Sequence, residues 1–180
     1  MTPEGTGSSR LRVGVLLGGV VIIGAMVTLF AKSFEFDPAF IGSPLIGKPA
    51  PDFTLQDLEG RTYTLSELRG QPVVINFWAS YCAPCVTEHP TLVQAARHYQ
   101  GRAHFLGIIF QDSVERIEAF QDRYGPWGPS LLDPDGKVAV AYGIYGPPET
   151  FFIDKDGVIQ KKVISAVNPR ELKETVDALL

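Results

Sequence analysis

The sequence predicts an α/β domain with a mixed central sheet and helices on both of its faces. Three observations lead there. Short apolar runs alternate with helical segments through the middle of the chain, which implies parallel strands joined by crossover helices. The run Val73 to Trp78 is apolar almost throughout, as a strand covered on both faces must be. The end of the chain reads strand, turn, strand, helix, which adds antiparallel strands to the parallel ones.

Taken in order, Phe53-Thr54-Leu55 and Thr62 to Leu65 predict a hairpin around the turn Asp57-Leu58-Glu59-Gly60. Ser66 is placed to cap one helical turn through Arg69. After Pro72 comes the strand Val73–Trp78, then a helix over Ala83–Gln100 interrupted at Pro90, then a strand over His104–Phe110. Ser113 caps the next helix, with Ile117, Phe120 and Tyr124 at helical spacing. Gly125-Pro126-Trp127-Gly128-Pro129 ends it. Leu131 to Tyr145 reads as a turn and a short helix. Thr150–Ile153 and Val158–Val163 form a hairpin around Asp154-Lys155-Asp156-Gly157, and Pro169 opens an amphipathic helix carrying Leu172, Val176 and Leu179 on one face.

Residues 1–32 read as a single membrane-spanning anchor. Val13 to Ala31 is a stretch of 19 residues without charge, close to the ~20 that cross a bilayer. Arg10 and Arg12 precede it, while Lys32 is soon followed by Glu35 and Asp37, so the positive-inside tendency leaves the start in the cytoplasm and the rest outside. The rival is a cleaved signal peptide, whose apolar region is normally ~7–15 residues long and ends in a small-x-small site. This run is longer and has no such site. The expected organisation is anchor, linker over 33–47, and an extracytoplasmic (periplasmic) domain over 48–180. Beyond residue 32 there are 13 basic and 19 acidic side chains, which excludes the electrostatic footprint of a nucleic-acid binder.

The only two cysteines are Cys82 and Cys85, at the junction of the Val73–Trp78 strand and the following helix. Outside the cytoplasm, structural disulfides are common, but they stabilise mainly by closing long loops. A bridge between Cys82 and Cys85 closes almost none, so the pair suits cycling better than stapling. At a helix start the free N–H groups favour a Cys82 thiolate. That assigns attack to Cys82 and resolution to Cys85, one turn in. Metal binding is the blander reading of the spacing. A structural zinc site takes four ligands, and only His89, His98 and His104 remain to supply them. His89 makes a trio that lacks a fourth member, so neither a metal nor another cofactor is expected.

Phe77-Trp78-Ala79-Ser80-Tyr81-Cys82-Ala83-Pro84-Cys85, Tyr145-Gly146-Pro147-Pro148-Glu149-Thr150-Phe151 and Gly47-Lys48-Pro49-Ala50-Pro51-Asp52-Phe53 together resemble the membrane-anchored thioredoxin-like proteins of the TlpA, ResA and DsbE type. These handle thiols outside the cytoplasm, notably during cytochrome c maturation. The resemblance covers about residues 47–180 and implies a thioredoxin-like fold with an N-terminal β-hairpin and a central insert at about 126–146. It matches Pro148 to a proline held in cis opposite the active disulfide, Glu88 to an acidic residue near the thiols, and Pro90 to a kink in the active-site helix. Glu88 then becomes a candidate proton relay, against the plainer reading of a first-turn Glu that suits the helix dipole. Trp78 and Tyr81 are expected to shape the client-binding surface around Cys82, although core packing explains Trp78 equally well. Two positions depart from the wider pattern. Asn76 stands where ordinary thioredoxins carry a buried aspartate. Pro147 lacks the backbone N–H that relatives often offer a client before the cis proline, which leaves only its carbonyl for pairing.

The function this implies is an extracytoplasmic thiol:disulfide oxidoreductase. It reduces exported clients such as an apocytochrome c and is recharged by a membrane thiol transporter. A thiol oxidase of the same fold is the second reading, because direction follows reduction potential. A peroxiredoxin-type peroxidase is the third, but Ile75 and Ala79 stand where the P-x-x-x-[ST]-x-x-C setting needs proline and a hydroxyl residue. A tethered binding module with idle cysteines is the fourth, and the intact stations from Trp78 to Cys85 and at Pro148 argue against it.

Overall fold

The computed structural model describes residues 7–33, with side chains only for 15–28 of that segment, and residues 43–180. The chain divides into two units, residues 1–41 and residues 42–180. In the first, helix α1 runs Gly7–Ser33, and its large apolar side chains from Val15 to Val27 are exposed. The described side chains cover about 21 Å at 1.5 Å per residue, and on them alone no helix is long and apolar enough to cross a membrane. The Arg10 and Arg12 side chains and most of the expected linker lie outside the described residues. Residues 43–47, also expected as linker, dock on the folded unit: Gly47 N–H donates to Ile159 O at 2.7 Å, and Leu45 packs against the core.

The second unit is the α/β domain. Its order is β1 (Thr54–Asp57), β2 (Thr62–Thr64), a 3-10 turn (Leu65–Leu68), β3 (Val73–Trp78), α2 (Ala83–His98), β4 (His104–Ile109), α3 (Val114–Tyr124), β5 (Ser130–Leu132), α4 (Lys137–Ala141), β6 (Glu149–Ile153), β7 (Ile159–Ile164) and α5 (Pro169–Leu179). The strands form one seven-stranded sheet in the order β2-β1-β5-β4-β3-β6-β7. β3, β4 and β5 are parallel, while the two end hairpins run antiparallel, so the sheet is mixed as predicted.

Every residue of β3 is buried, which accounts for its unbroken apolar character. Its side chains alternate between two cores. Val74 and Trp78 join the cluster with α2, α3 and α5, while Val73, Ile75 and Phe77 join Tyr142, Phe151 and Ile153 on the other face. Asn76 therefore points toward α2, and that period-2 placement positions the polar part of the site. Helix starts follow sequence chemistry: Ser113 Oγ accepts Arg116 N–H at 3.4 Å, and Asn168 Oδ1 accepts Glu171 N–H at 2.8 Å with Pro169 in the first turn.

Three local readings are corrected. Ser66 does not cap the short turn. Its N–H goes to Asp52 Oδ1 at 2.9 Å, and the turn starts at Leu65 without a side-chain cap. Pro90 does not interrupt α2, which continues through it to His98. The segment after Pro129 contains a strand, β5, inserted between β1 and β4. Three residues carry no periodicity of their own; β5 is a strand because two neighbours supply its hydrogen bonds. The implied insert thus adds both β5 and α4 to the domain.

Candidate active site

Cys82 is the N-cap residue of α2, and its sulfur accepts Cys85 N–H at 3.2 Å. Pro84 occupies the first turn, where a missing N–H costs nothing. The two sulfurs are bonded, with the Cα atoms 5.2 Å apart. Both residues are nearly enclosed, Cys82 at 6% and Cys85 at 3% exposure. Exposure hardly separates them, so any difference in role rests on the cap position. In the dithiol that same N–H, with the others at the head of α2, stabilises a Cys82 thiolate.

Glu88 lies one turn further along α2 and is buried at 2% exposure. Its Oε1 accepts from Asn76 Nδ2 at 2.9 Å, and its Oε2 accepts Val167 N–H at 2.8 Å. Burial raises its pKa to about 7, outweighing the opposing pull of the Val167 and Asn76 bonds. Asn76 Nδ2 also donates to Thr150 Oγ1 at 2.9 Å, whereas Asn76 Oδ1 is buried without a partner. Rotating the amide by half a turn brings Oδ1 to the same two neighbours. Asn76 can thus donate to an ionised Glu88 or accept from a protonated one without changing its own protonation state.

The wall across from β3 comes from β6. Glu149 pairs with Phe77, so Pro148 falls at the level of Trp78, at the end of β3 that leads to Cys82. The Pro147–Pro148 bond is cis, as the resemblance implies. Pro148 is buried and Pro147 half-buried. The Pro148 carbonyl is taken by Ser165 N–H at 2.9 Å, whereas none of the described hydrogen bonds uses the Pro147 carbonyl. Behind this loop the buried Glu149 accepts Tyr145 N–H at 2.8 Å and Gly146 N–H at 3.3 Å. Lys162 Nζ stands 2.5 Å from Glu149 Oε2, close enough for an ion pair, and donates to Gly143 O at 3.2 Å.

The aromatic residues part company. Tyr81 is 56% exposed beside Cys82, where a client can touch it. Trp78 is only 3% exposed; it packs on Phe120 at 5.1 Å and lies over Gly107, where a Cβ would come within 2.7 Å of its Nε1. Of the two readings of Trp78, core packing holds and the client surface does not: even-numbered β3 residues face α2 and α3, so its ring fills the core. His89, weighed as a metal ligand, is buried on α2 with Nε2 3.3 Å from Tyr124 O and its ring edge-on to Phe120.

Three features escaped the sequence. Tyr145 is 90% exposed on the loop before Pro147. An open groove of about 940 Å³ runs between Phe110, Val114, Ile144 and Tyr145. Asp112, at the start of α3, has a fully enclosed side chain bonded to Ser80. Burial alone would push its pKa up, but the bonds from Ser80, Ser113 and Arg116 win and hold it below the usual carboxylate range. The sequence shows Asp112 only as a polar residue before a helix cap.

The AhpC/TSA family profile matches residues 46–162. The thiol:disulfide interchange protein DsbE of Allochromatium vinosum is 36% identical over 159 residues, 87% of this chain and 87% of its own. The thiol-disulfide oxidoreductase ResA of Geobacillus thermodenitrificans is 33% identical over 84% of this chain and 86% of its own. The crystal structure of a secreted Mycobacterium tuberculosis disulfide oxidoreductase homologous to E. coli DsbE superposes with a TM-score of 0.65 at 30% identity, covering 71% of this chain and 96% of that one. With a bonded cysteine pair capping a helix in a thioredoxin-like domain, the chain belongs to the AhpC/TSA family and is a thiol:disulfide oxidoreductase.

Proposed function

We propose that the protein is an extracytoplasmic disulfide reductase, held at the membrane by α1, with Cys82 as nucleophile and Cys85 as resolving thiol. The observation that carries this is the Cys82 sulfur at the N-cap of α2, receiving the Cys85 N–H. An attacking thiol needs that stabilisation and a resolving thiol does not. The uncharged run Val13–Ala31 and the exposed apolar side chains of α1 support the anchor. Resemblance to the DsbE and ResA type supports the reducing direction, with the cysteine pair of an apocytochrome c as client and a membrane thiol transporter as electron donor.

In the reaction the Cys82 thiolate attacks one sulfur of the client disulfide, and the other client sulfur leaves as a thiolate. Cys85 then attacks Cys82, the bond to the client breaks, and the Cys82–Cys85 bridge forms as the client departs with two thiols. Glu88 is the proton relay for the Cys85 thiol, one helical turn away. Tyr81, Pro147 and Pro148 frame the client backbone. A Cys85→Ser chain expressed in cells is expected to accumulate mixed disulfides on Cys82. Exported proteins with paired cysteines should dominate the captured set; a wild-type chain found fully oxidised in cells would count against the reducing direction.

Pro147 gives the client an acceptor but no donor. Pro147→Ala supplies the missing N–H, and one added backbone bond is worth about 1 kcal/mol, or about fivefold in affinity. Titrating a trapped peptide partner against both chains measures this, and equal affinities would remove the idea of one-sided pairing.

A further inference from the structure

We propose that Asp112 is a positioning residue for thiol exchange. Its carboxylate ties the turn carrying Cys82 to the start of α3, so that the Cys82 sulfur stays within reach of Cys85 when a client departs. The inference rests on the exchange roles proposed above for the two cysteines.

The turn from Ala79 to Cys82 has little to hold it from within: Cys82 N–H donates to Ala79 O at 3.3 Å. Its order comes from the segment that follows β4, the strand beside β3. Asp112 Oδ2 accepts both Ser80 N–H at 2.7 Å and Ser80 Oγ–H at 2.6 Å. Asp112 Oδ1 accepts Ser113 N–H at 2.8 Å and Arg116 Nε–H at 2.6 Å. Two more bonds join the same segments, Phe110 N–H to Trp78 O at 2.8 Å and Tyr81 Oη–H to Phe110 O at 3.4 Å. Between Phe110 and Asp112 the backbone takes a left-handed turn at Gln111, with φ at +48° in a residue other than glycine. Such a conformation is uncommon and is kept where surrounding contacts demand it.

A plain helix-capping role does not account for Asp112, because Ser113 already caps α3 through Arg116 N–H. Both protons that Ser80 can offer are spent on Asp112. A carboxylate with both oxygens doubly engaged is also the one side chain that can hold four donors here. Asparagine offers one acceptor oxygen and loses two of the four.

In the mixed disulfide the Cys85 thiolate must attack the Cys82 sulfur in line with the bond to the client. That bond breaks, its electron pair leaves on the client sulfur, and the Cys82–Cys85 bond forms. A fixed Cys82 raises the local concentration of Cys85 at that sulfur, and a loosened turn lowers it.

The test is made on the full-length chain, reduced, with glutathione disulfide as probe. Asp112→Asn is expected to slow resolution of the Cys82–glutathione adduct about tenfold and to lower the equilibrium constant for bridge formation by a similar factor, about 30 mV. Ser80→Ala, which keeps the Asp112 charge and so separates position from electrostatics, should move both quantities the same way by less. Ser80→Thr, which keeps the hydroxyl, should restore them. Wild-type resolution and equilibrium in a folded Asp112→Asn chain overturn the proposal. If that variant does not fold, equal behaviour of Ser80→Ala and Ser80→Thr overturns it instead. A wild-type chain that forms no adduct at Cys82 defeats the underlying assignment of roles.

Discussion

Cys82→Ser is expected to lower disulfide exchange by roughly a thousandfold or more, the scale of losing an activated nucleophile. Cys85→Ser should leave the first attack nearly intact and stop the reaction at the adduct. The asymmetry does not come from exposure, since the two cysteines are almost equally enclosed. It comes from the helix start. Cys82 stands at the N-cap, where its sulfur receives an N–H that has no partner within the helix. Cys85 lies within the first turn, and its own N–H is the group that serves Cys82. Stopped-flow reduction of a peptide disulfide gives the rates, and mass spectrometry of the quenched reaction locates the adduct. Activity retained by Cys82→Ser, or adducts carried by Cys85, would reverse the assignment.

The second large effect concerns pH. In the disulfide form Glu88 titrates at about 7, against an ordinary value of 4.5. Between those limits the folded chain holds a proton that the unfolded chain has released. Stability is therefore greatest below the unfolded value, falls as pH rises toward 7, and levels off above it. A shift of that size corresponds to about 3 kcal/mol, to order of magnitude. Glu88→Gln has no proton to lose. Urea unfolding of the two oxidised chains at pH 5 and pH 8 should show wild type losing about 3 kcal/mol more than the variant across the interval. Parallel pH dependences would mean that Glu88 is ionised throughout. In the reduced chain the same substitution should erase an inflection near pH 7 in the exchange rate, if Glu88 moves the proton of the Cys85 thiol.

Asn76 makes that titration tolerable. An ionised Glu88 needs donors and a protonated one needs an acceptor, and the amide offers either by turning over. Its unpartnered Oδ1 is the cost of keeping both options in one buried place.

The features legible in the sequence were those set by neighbours along the chain. β3, α3, the closing hairpin and α5 stand where periodicity, caps and turns put them, to within a residue or two. The Cys82–Cys85 pair was legible because its spacing and its place before a helix are both local. β5 was not legible, since three residues between breakers become a strand only when β1 and β4 flank them. Trp78 stayed open between client surface and core for a related reason. Its proximity to Cys82 in sequence says nothing about the face of the sheet on which its ring falls.

By itself the sequence determined a cysteine pair at a helix start and the strand that delivers it, while the place of the proline pair came from the family resemblance and from the register of β6 on β3. Tertiary structure decided the environment those groups work in. Glu88 meets Asn76 and Val167 from 12 and 79 residues away, and Ser80 meets Asp112 from 32 residues away. The physical reason is that a thiol's place follows from local backbone geometry. A carboxyl group's proton affinity follows from burial and hydrogen-bond partners, which only the folded chain brings together.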